Sequence, residues 1–510
     1  MSRKNDFIAA GTYGCVYRPS IPCRGNEEGD GGRGKVSKVF AKGYDMEKNR
    51  EDFEDEIDRN QKAKEINADG VFTLTHVNAC EIPSGILTDA EKESCADSDK
   101  PTRRNTLRNF SKGKVPQIVY KDGGSPLEKL WQNNIPLSQF LTDFQNVMQG
   151  LVKLNRHRHV HTDIKPGNIM YHPSEHRAKL VDFGFFDEES WLYRDALDNP
   201  NLLMHAYPYY PPEFKVLFMF TVPDLLKTSF ASYIDNVYRQ NLDDVSPDVI
   251  DRFFLTWPPL VYLFSRYAER RDKTSKERIT FVEQVMQNMS PLSLRQNYQR
   301  VLKRFHFTTR LQQIDTFRQN LRSELRFQDF SLRANKRQQM QKLFVNQRFG
   351  AKIDLYSIGV TLLEVVSSYL MPLIIGQPVN TAAQAIDIPM HENIVALLYI
   401  VSGMVHPDPY VRFSAEEASD MYDIFVEALQ MSNASQRTHR LQQIQRRVEE
   451  RIPMPGLPGQ NNAMNNSREP SPMNVNTVGI SPRPSPMDTS ALSQTGQSKR
   501  KHKSRKKQHK

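Results

Sequence analysis

His161-Thr162-Asp163-Ile164-Lys165-Pro166-Gly167-Asn168, followed shortly by Val181-Asp182-Phe183-Gly184, sets two carboxylates, a carboxamide and a lysine at fixed close spacings. Phosphoryl transfer asks for that set: one carboxylate to orient a hydroxyl, a second acid and an amide to hold Mg2+, and a cation beside the moving phosphate. Asp163, Asp182, Asn168 and Lys165 supply the four. Either half alone is weak evidence, because Asp-Phe-Gly also makes an ordinary turn with a buried Phe. The linked pair, each half beside strand-like apolar residues, is far more specific.

Toward the N-terminus, Phe7 to Tyr17 reads as strand, glycine turn, strand. Its centre, Ala9-Ala10-Gly11-Thr12-Tyr13-Gly14-Cys15-Val16, suits a hairpin lying over phosphates. Gly11 and Gly14 would admit backbone N–H groups to the nucleotide, and Val16 would pack on a base. The Gly- and acid-rich stretch 19–34 reads as an exposed loop, and Lys35-Val-Ser-Lys-Val-Phe40 as the next strand. Alternation puts Lys38 on the face shared by Val36 and Phe40 and leaves its rival Lys35 on the other. Residues 45–66 are rich in Glu, Asp and Lys with few breakers, which predicts a long helix with i,i+4 ion pairs. Among its acids Glu56, about three turns before the stop at Ile66-Asn-Ala-Asp-Gly70, is preferred over Glu54 and Glu51 as the partner of Lys38.

Gln117 to Gly124 reads as a buried strand entering a glycine-rich connection, with Tyr120 at the back of a nucleotide pocket and Asp122 and Gly123 offering backbone hydrogen bonds to a base. The apolar stripe through 137–156 predicts a core helix leading into the loop at His161. His157, His159 and His172 lie nearby but lack the spacing of a full metal-ligand set, so they are expected to be hydrogen-bonded or exposed.

These motifs, in this order, resemble the catalytic loop, DFG triplet, glycine-rich loop and β3 lysine of the eukaryotic-type protein kinases. The resemblance implies an α+β, bilobal fold: a small β-rich N-lobe over 1–123 and a large helical C-lobe over 124–446, with ATP and Mg2+ between them. It implies Asp163 as the carboxylate that accepts the hydroxyl proton, Lys165 on the γ-phosphate, and Asn168 and Asp182 on Mg2+. Lys38, held by Glu56, would take the α and β phosphates, with the stretch from Ala9 to Val16 covering them. Lys165 is similar to the lysine of the Ser/Thr-directed class. Tyr207-Pro-Tyr-Tyr-Pro-Pro-Glu213 resembles the end of an activation segment, Arg412 the partner of Glu213, and Asp354 the acid that supports the catalytic-loop backbone. There are two departures. Ala9 stands at the first glycine position, and Thr162 replaces the arginine that binds a phosphorylated activation segment, so control by loop phosphorylation is not expected. A large insertion at 214–350, read as helices, is similar to that of Ser/Thr kinases of nucleocytoplasmic large DNA viruses, which implies host cytoplasm, virion or nucleus as the compartment.

With 510 residues the chain has length for at least two domains. Its net charge of +10 is a property of the tail: Lys499 to Lys510 holds eight Lys/Arg and no acid, leaving +2 for everything before it. That cluster suits phosphate backbones, anionic surfaces or an import receptor, whereas the body gives little reason to expect a nucleic-acid groove. Cys15, Cys23, Cys80 and Cys95 show no zinc spacing and are expected to be unpaired in a reducing, intracellular compartment. The opening residues lead to no long apolar run, and Phe214 to Leu226, cut by Lys215, Pro223 and Asp224, is too short and polar to span a bilayer. The Pro-, Asn-, Ser- and Gln-rich end, 447–510, is expected to be disordered, with Ser471, Ser481 and Ser485 before prolines as modification sites. Two rival readings stand beside an active kinase acting on protein substrates. One is a pseudokinase scaffold, motivated by Ala9 and Thr162, and the other a virion or nucleic-acid-associated protein acting through its basic tail.

Overall fold

The structure is a computed structural model that describes residues 6–11, 14–23, 32, 34–42, 46–96, 100–133, 135–190, 209–211, 296, 300–301, 303–305, 313, 316–317, 320, 342–374 and 388–454. Thr12, Tyr13, Glu213, Phe214 to Leu226, most of the expected insertion, the three Ser-Pro sites and the basic cluster lie outside the described residues.

The fold is mixed α+β. Strands β1 (Asp6–Ala10), β2 (Cys15–Arg18), β3 (Lys35–Val39), β4 (His76–Pro83) and β5 (Lys114–Lys121) form an antiparallel sheet in the order β1-β2-β3-β5-β4. Because side chains alternate along a strand, the register gives the sheet two distinct faces. Val16, Lys38 and Ile118 are cross-strand neighbours on one face, and Cys15, Val39 and Gln117 share the other.

Helix α1 (Met46–Ile66) covers the first face, where Phe53 and Ile57 pack with Phe40, Leu74, Ile118 and Tyr120. Most of α1 is charged and solvated, with i,i+4 pairs Lys48–Asp52 at 2.8 Å and Arg59–Asp55 at 3.8 Å, and it stops before Gly70, whose φ of 63° suits glycine. The second face is covered by α2 (Asp89–Cys95) and α3 (Lys100–Ser111) through Cys95 and Phe110, with Leu87 just before α2. These two helices were not anticipated from the sequence. The Thr88–Glu91 capping box that starts α2 is the signal that marks it.

The cysteines overturn the expectation of free thiols. Cys15 is disulfide-bonded to Cys95 and Cys23 to Cys80, and no free cysteine remains. Both bridges lie on the second face, away from Lys38. The sheet brings Cys80 beside Gln117, whose amide holds the crossing segment through the Ile21 carbonyl at 2.9 Å, so residues far apart in sequence become neighbours.

Beyond the sheet, helices dominate. The expected single helix over 137–156 is two, α4 (Leu137–Asp143) and α5 (Gln145–Arg156), parted at Phe144 where that large side chain enters the core. Short strands β6 (Ser125–Pro126), β7 (His159–Val160), β8 (Ile169–His172), β9 (Arg177–Leu180) and β10 (Asp187–Glu188) follow, paired β6-β8-β9 and β10-β7. They pin both ends of the loop at 161–168 and the approach to Asp182.

Helices α6 (Ile353–Ile374), α7 (Ile388–Met404), α8 (Ala415–Gln430) and α9 (Ala434–Arg451) complete the body. Ile394 to Val401 of α7 is buried on every side because α6, α8 and α9 all pack on it, as its unbroken apolar run requires. Helix α9 runs past residue 446, and Val448 and Ile452 reach into the core. The end of the expected insertion is likewise part of the body: Phe344 and Phe349 are buried, and Arg304 donates to the Ile452 carbonyl at 2.9 Å. Among the described residues no helix is long and apolar enough to cross a membrane.

Candidate functional site

Two groups of charged side chains meet where the sheet adjoins the loops at 161–168 and 181–186. In the first, the Lys38 ammonium donates to both oxygens of Glu56, at 2.9 and 2.8 Å, and to Asp182 Oδ1 at 3.0 Å. In the second, Asp163 Oδ2 accepts from Lys165 Nζ at 2.9 Å and from Asn168 Nδ2 at 2.8 Å. The Val181 N–H donates to the Asn168 carbonyl at 3.0 Å and joins the two.

Each side chain is delivered by its local structure. Lys38 stands on β3 with Val36 and Phe40, its ammonium 5.5 Å from the Phe40 ring centroid, and faces Glu56 on the underside of α1. The loop is hung from Asp354, at the start of α6, whose carboxylate accepts the N–H groups of His161 at 2.6 Å and Thr162 at 2.8 Å. Thr162 and Asp182 both sit in the left-handed region, at φ 63° and 64°, a conformation that non-glycine residues hold only when their surroundings fix it. Thr162 Oγ1 donates to the Phe185 carbonyl at 3.1 Å, and the His161 ring is 3.0 Å from the Val181 carbonyl. Asp354→Asn keeps the shape but turns an amide toward two buried N–H donors. We expect it to lower unfolding stability by about 2 kcal/mol, read in urea denaturation.

Burial works to lower the Lys38 pKa, but Asp182 and Glu56 outweigh it and raise it above the ordinary lysine value. Burial pushes the Glu56 carboxyl up against the pull of Lys38. Asp182 also loses hydration, yet Lys38 holds its carboxyl below the usual range, with His161 and Lys165 adding to the effect. The Glu56 side chain is 3% exposed and that of Asp182 40%, so Glu56 is the buried anchor and Asp182 the more accessible acid.

The five charged groups leave one net negative charge, which favours a further cation. Both amide hydrogens of Asn168 are directed at Asp163, to its carbonyl at 2.9 Å and its carboxylate at 2.8 Å, so the amide oxygen is the part left for a hard cation. Among the described residues no group of three or more His, Cys, Asp or Glu could hold a metal by itself. One carboxylate and one amide fit Mg2+, which keeps water and phosphate oxygens in its shell. His159 Nδ1 is 2.7 Å from the His157 carbonyl and His172 Nδ1 is 2.9 Å from the Ser174 hydroxyl.

The hairpin and the connection differ in detail from expectation. Val16 lies on the Lys38 face beside Ala9, whereas Cys15, paired across with Ala10, turns its side chain to the opposite face and into its disulfide. The Gly11 N–H donates to the Gly14 carbonyl at 2.8 Å and closes the turn instead of pointing at a ligand. At Gly14 a Cβ would lie 2.6 Å from the Val39 carbonyl oxygen, so glycine there serves the packing of the hairpin on β3. The Asp122 N–H is also engaged, to the Gly34 carbonyl at 2.8 Å, and its carboxylate pairs with Arg18 at 2.7 Å. That removes its N–H as a contact for a base. Gly123 is wedged where a Cβ would come within 2.9 Å of Leu74 and Met170. Arg412 is fully buried against the His406 carbonyl and the Tyr356 ring.

Sequence reasoning missed the supports of Glu56. The Tyr120 hydroxyl donates to Glu56 Oε1 at 2.8 Å, and the Asn60 amide donates to the Glu56 carbonyl at 2.8 Å. Arg59 donates to the Gly184 carbonyl. Spacing of three and four residues from Glu56 along one helix face is the signal for Arg59 and Asn60. Comparison of the chain with protein-family models and with curated proteins gives no match.

Proposed function

We propose that the chain is a Ser/Thr protein kinase, similar to those of nucleocytoplasmic large DNA viruses, with the bilobal kinase arrangement of a nucleotide site between sheet and helices. What supports this reading above all is that the Lys38 ammonium lies 2.8 Å from Glu56 and 3.0 Å from Asp182, beside a second trio of Asp163, Lys165 and Asn168. In it, the Lys38 ammonium holds the α and β phosphates of ATP, and Glu56 keeps that ammonium in place. Asp163 orients a protein hydroxyl and accepts its proton. Lys165, 2.9 Å from Asp163, neutralises charge on the moving phosphate. Asp182 and the amide oxygen of Asn168 hold Mg2+, which when bound neutralises the phosphate oxygens.

The test is incorporation of label from γ-labelled ATP into a basic protein substrate by the purified full-length chain, with Mg2+ or with EDTA. Label on serine and threonine that EDTA abolishes is expected. Tight Mg-ATP binding without label would identify a pseudokinase scaffold, and neither binding nor label would remove the nucleotide site altogether.

A further inference from the structure

We propose that Tyr120 is a positioning residue that clamps Glu56 onto Lys38, and that this clamp and the tethers of residues 183–189 keep the site assembled without any phosphate on the chain. The inference rests on the kinase reading and adds how the site is regulated.

The clamp is a closed network. Tyr120, on the Lys38 face of β5, donates to Glu56 Oε1 at 2.8 Å while its own oxygen accepts from Asn60 Nδ2 at 3.3 Å. Asn60 also donates to the Glu56 carbonyl, and its oxygen accepts the His76 N–H at 3.3 Å. Glu56, Asn60 and Tyr120 are 2%, 0% and 9% exposed, with Phe40, Leu74 and Ile118 around Tyr120, so water cannot replace a broken bond. If α1 swung outward, the phenol, the amide and the ammonium would all lose partners in apolar surroundings. Such partly satisfied buried networks are costly, which makes the inward position the stable one. Burial raises the Tyr120 phenol well above its usual pKa, with Glu56 adding to the shift, so the hydroxyl keeps its proton at any working pH.

The residues after Asp182 are tied down just as locally. Arg59 of α1 donates to the Gly184 carbonyl, and Thr162 Oγ1 donates to that of Phe185. β10 pairs with β7 through Asp187–Val160 and Glu188–His159. Glu189, its side chain 8% exposed, then accepts from both Arg348 Nε and Nη2 at 3.2 Å and from the Ala351 N–H at 3.2 Å. Each tether is made by groups the chain encodes. A threonine hydroxyl at position 162 offers no charge to a phosphate.

Two measurements on the full-length protein test this. First, binding of a non-hydrolysable Mg-ATP analogue and steady-state phosphate transfer are compared for wild type and Tyr120→Phe, which keeps the ring and loses only the hydroxyl. We expect affinity for the analogue and kcat each to fall by about tenfold, with KM for the protein substrate unchanged. Equal affinity and kcat in the two proteins would overturn the clamp. Second, transfer by protein treated with a broad-specificity phosphatase, and by Ser190→Ala, should match untreated wild type. A tenfold loss that reverses on rephosphorylation would overturn the tethered site. Absence of transfer in wild type, with analogue binding still weakened by Tyr120→Phe, would instead refute the kinase reading and leave the clamp standing.

Discussion

Asp163→Ala is expected to lower kcat for phosphate transfer by about 10^3-fold, the scale of a lost general base, while leaving Mg-ATP affinity within about twofold. The separation follows from the geometry. Asp163 bonds Lys165 and Asn168, while Lys38, Glu56 and Asp182, to which the proposal assigns the phosphates and Mg2+, form a separate trio. A carboxylate whose task is to orient a hydroxyl acts on the transition state, so its loss appears in kcat and leaves ground-state nucleotide binding largely intact. Calorimetric titration and transfer kinetics on one preparation give both numbers. Transfer at the wild-type rate would show that the hydroxyl is activated elsewhere.

Lys38→Met should damage both function and fold. Glu56 is almost completely buried and its two oxygens both rest on the Lys38 ammonium, so methionine leaves a buried carboxylate without its cation. Breaking a buried ion pair on one side costs about 3–5 kcal/mol. Transfer should fall at least as far as in Asp163→Ala, because the phosphates lose their cation. The informative comparison is Lys38→Met combined with Glu56→Gln: a neutral amide can still accept from Tyr120, so most of the stability should return while transfer stays lost. Urea unfolding beside transfer kinetics reads both. A double variant no more stable than Lys38→Met would mean the cost lies in packing, and that Glu56 is not the buried anchor described above.

Local chemistry made much of the site legible. Lys38 is distinguishable from Lys35 because strand alternation is a strict period of two, and Val36 and Phe40 mark the buried side. Glu56 is selected by its distance from the helix stop, and the loop at 161–168 by fixed spacings within one turn of chain. What stayed hidden depends on register between distant segments. Nothing in linear spacing says that Cys15 meets Cys95 or Cys23 meets Cys80, since those pairings require the order β2-β3-β5-β4 and the packing of α2 and the segment after β2 on one face. Tyr120 was placed beside the nucleotide, but its bond to Glu56 needs α1 and β5 in mutual orientation. Gly11 and Gly14 were legible as a turn. Their purpose was not, because only the neighbouring Val39 carbonyl shows which of them tolerates a side chain.

The two sulfur bridges bear on how the molecule has to be handled. They fasten α2 and the crossing segment to the back of the very sheet whose front carries Lys38, and one of them begins in the residue that follows Gly14. Dithiothreitol, a habitual ingredient of phosphotransferase assay buffers, therefore attacks the scaffold of the glycine hairpin rather than merely protecting stray thiols. Material made in a reducing bacterial cytosol and material refolded with a glutathione couple are then two different reagents, and inactivity of the first would say nothing about the second.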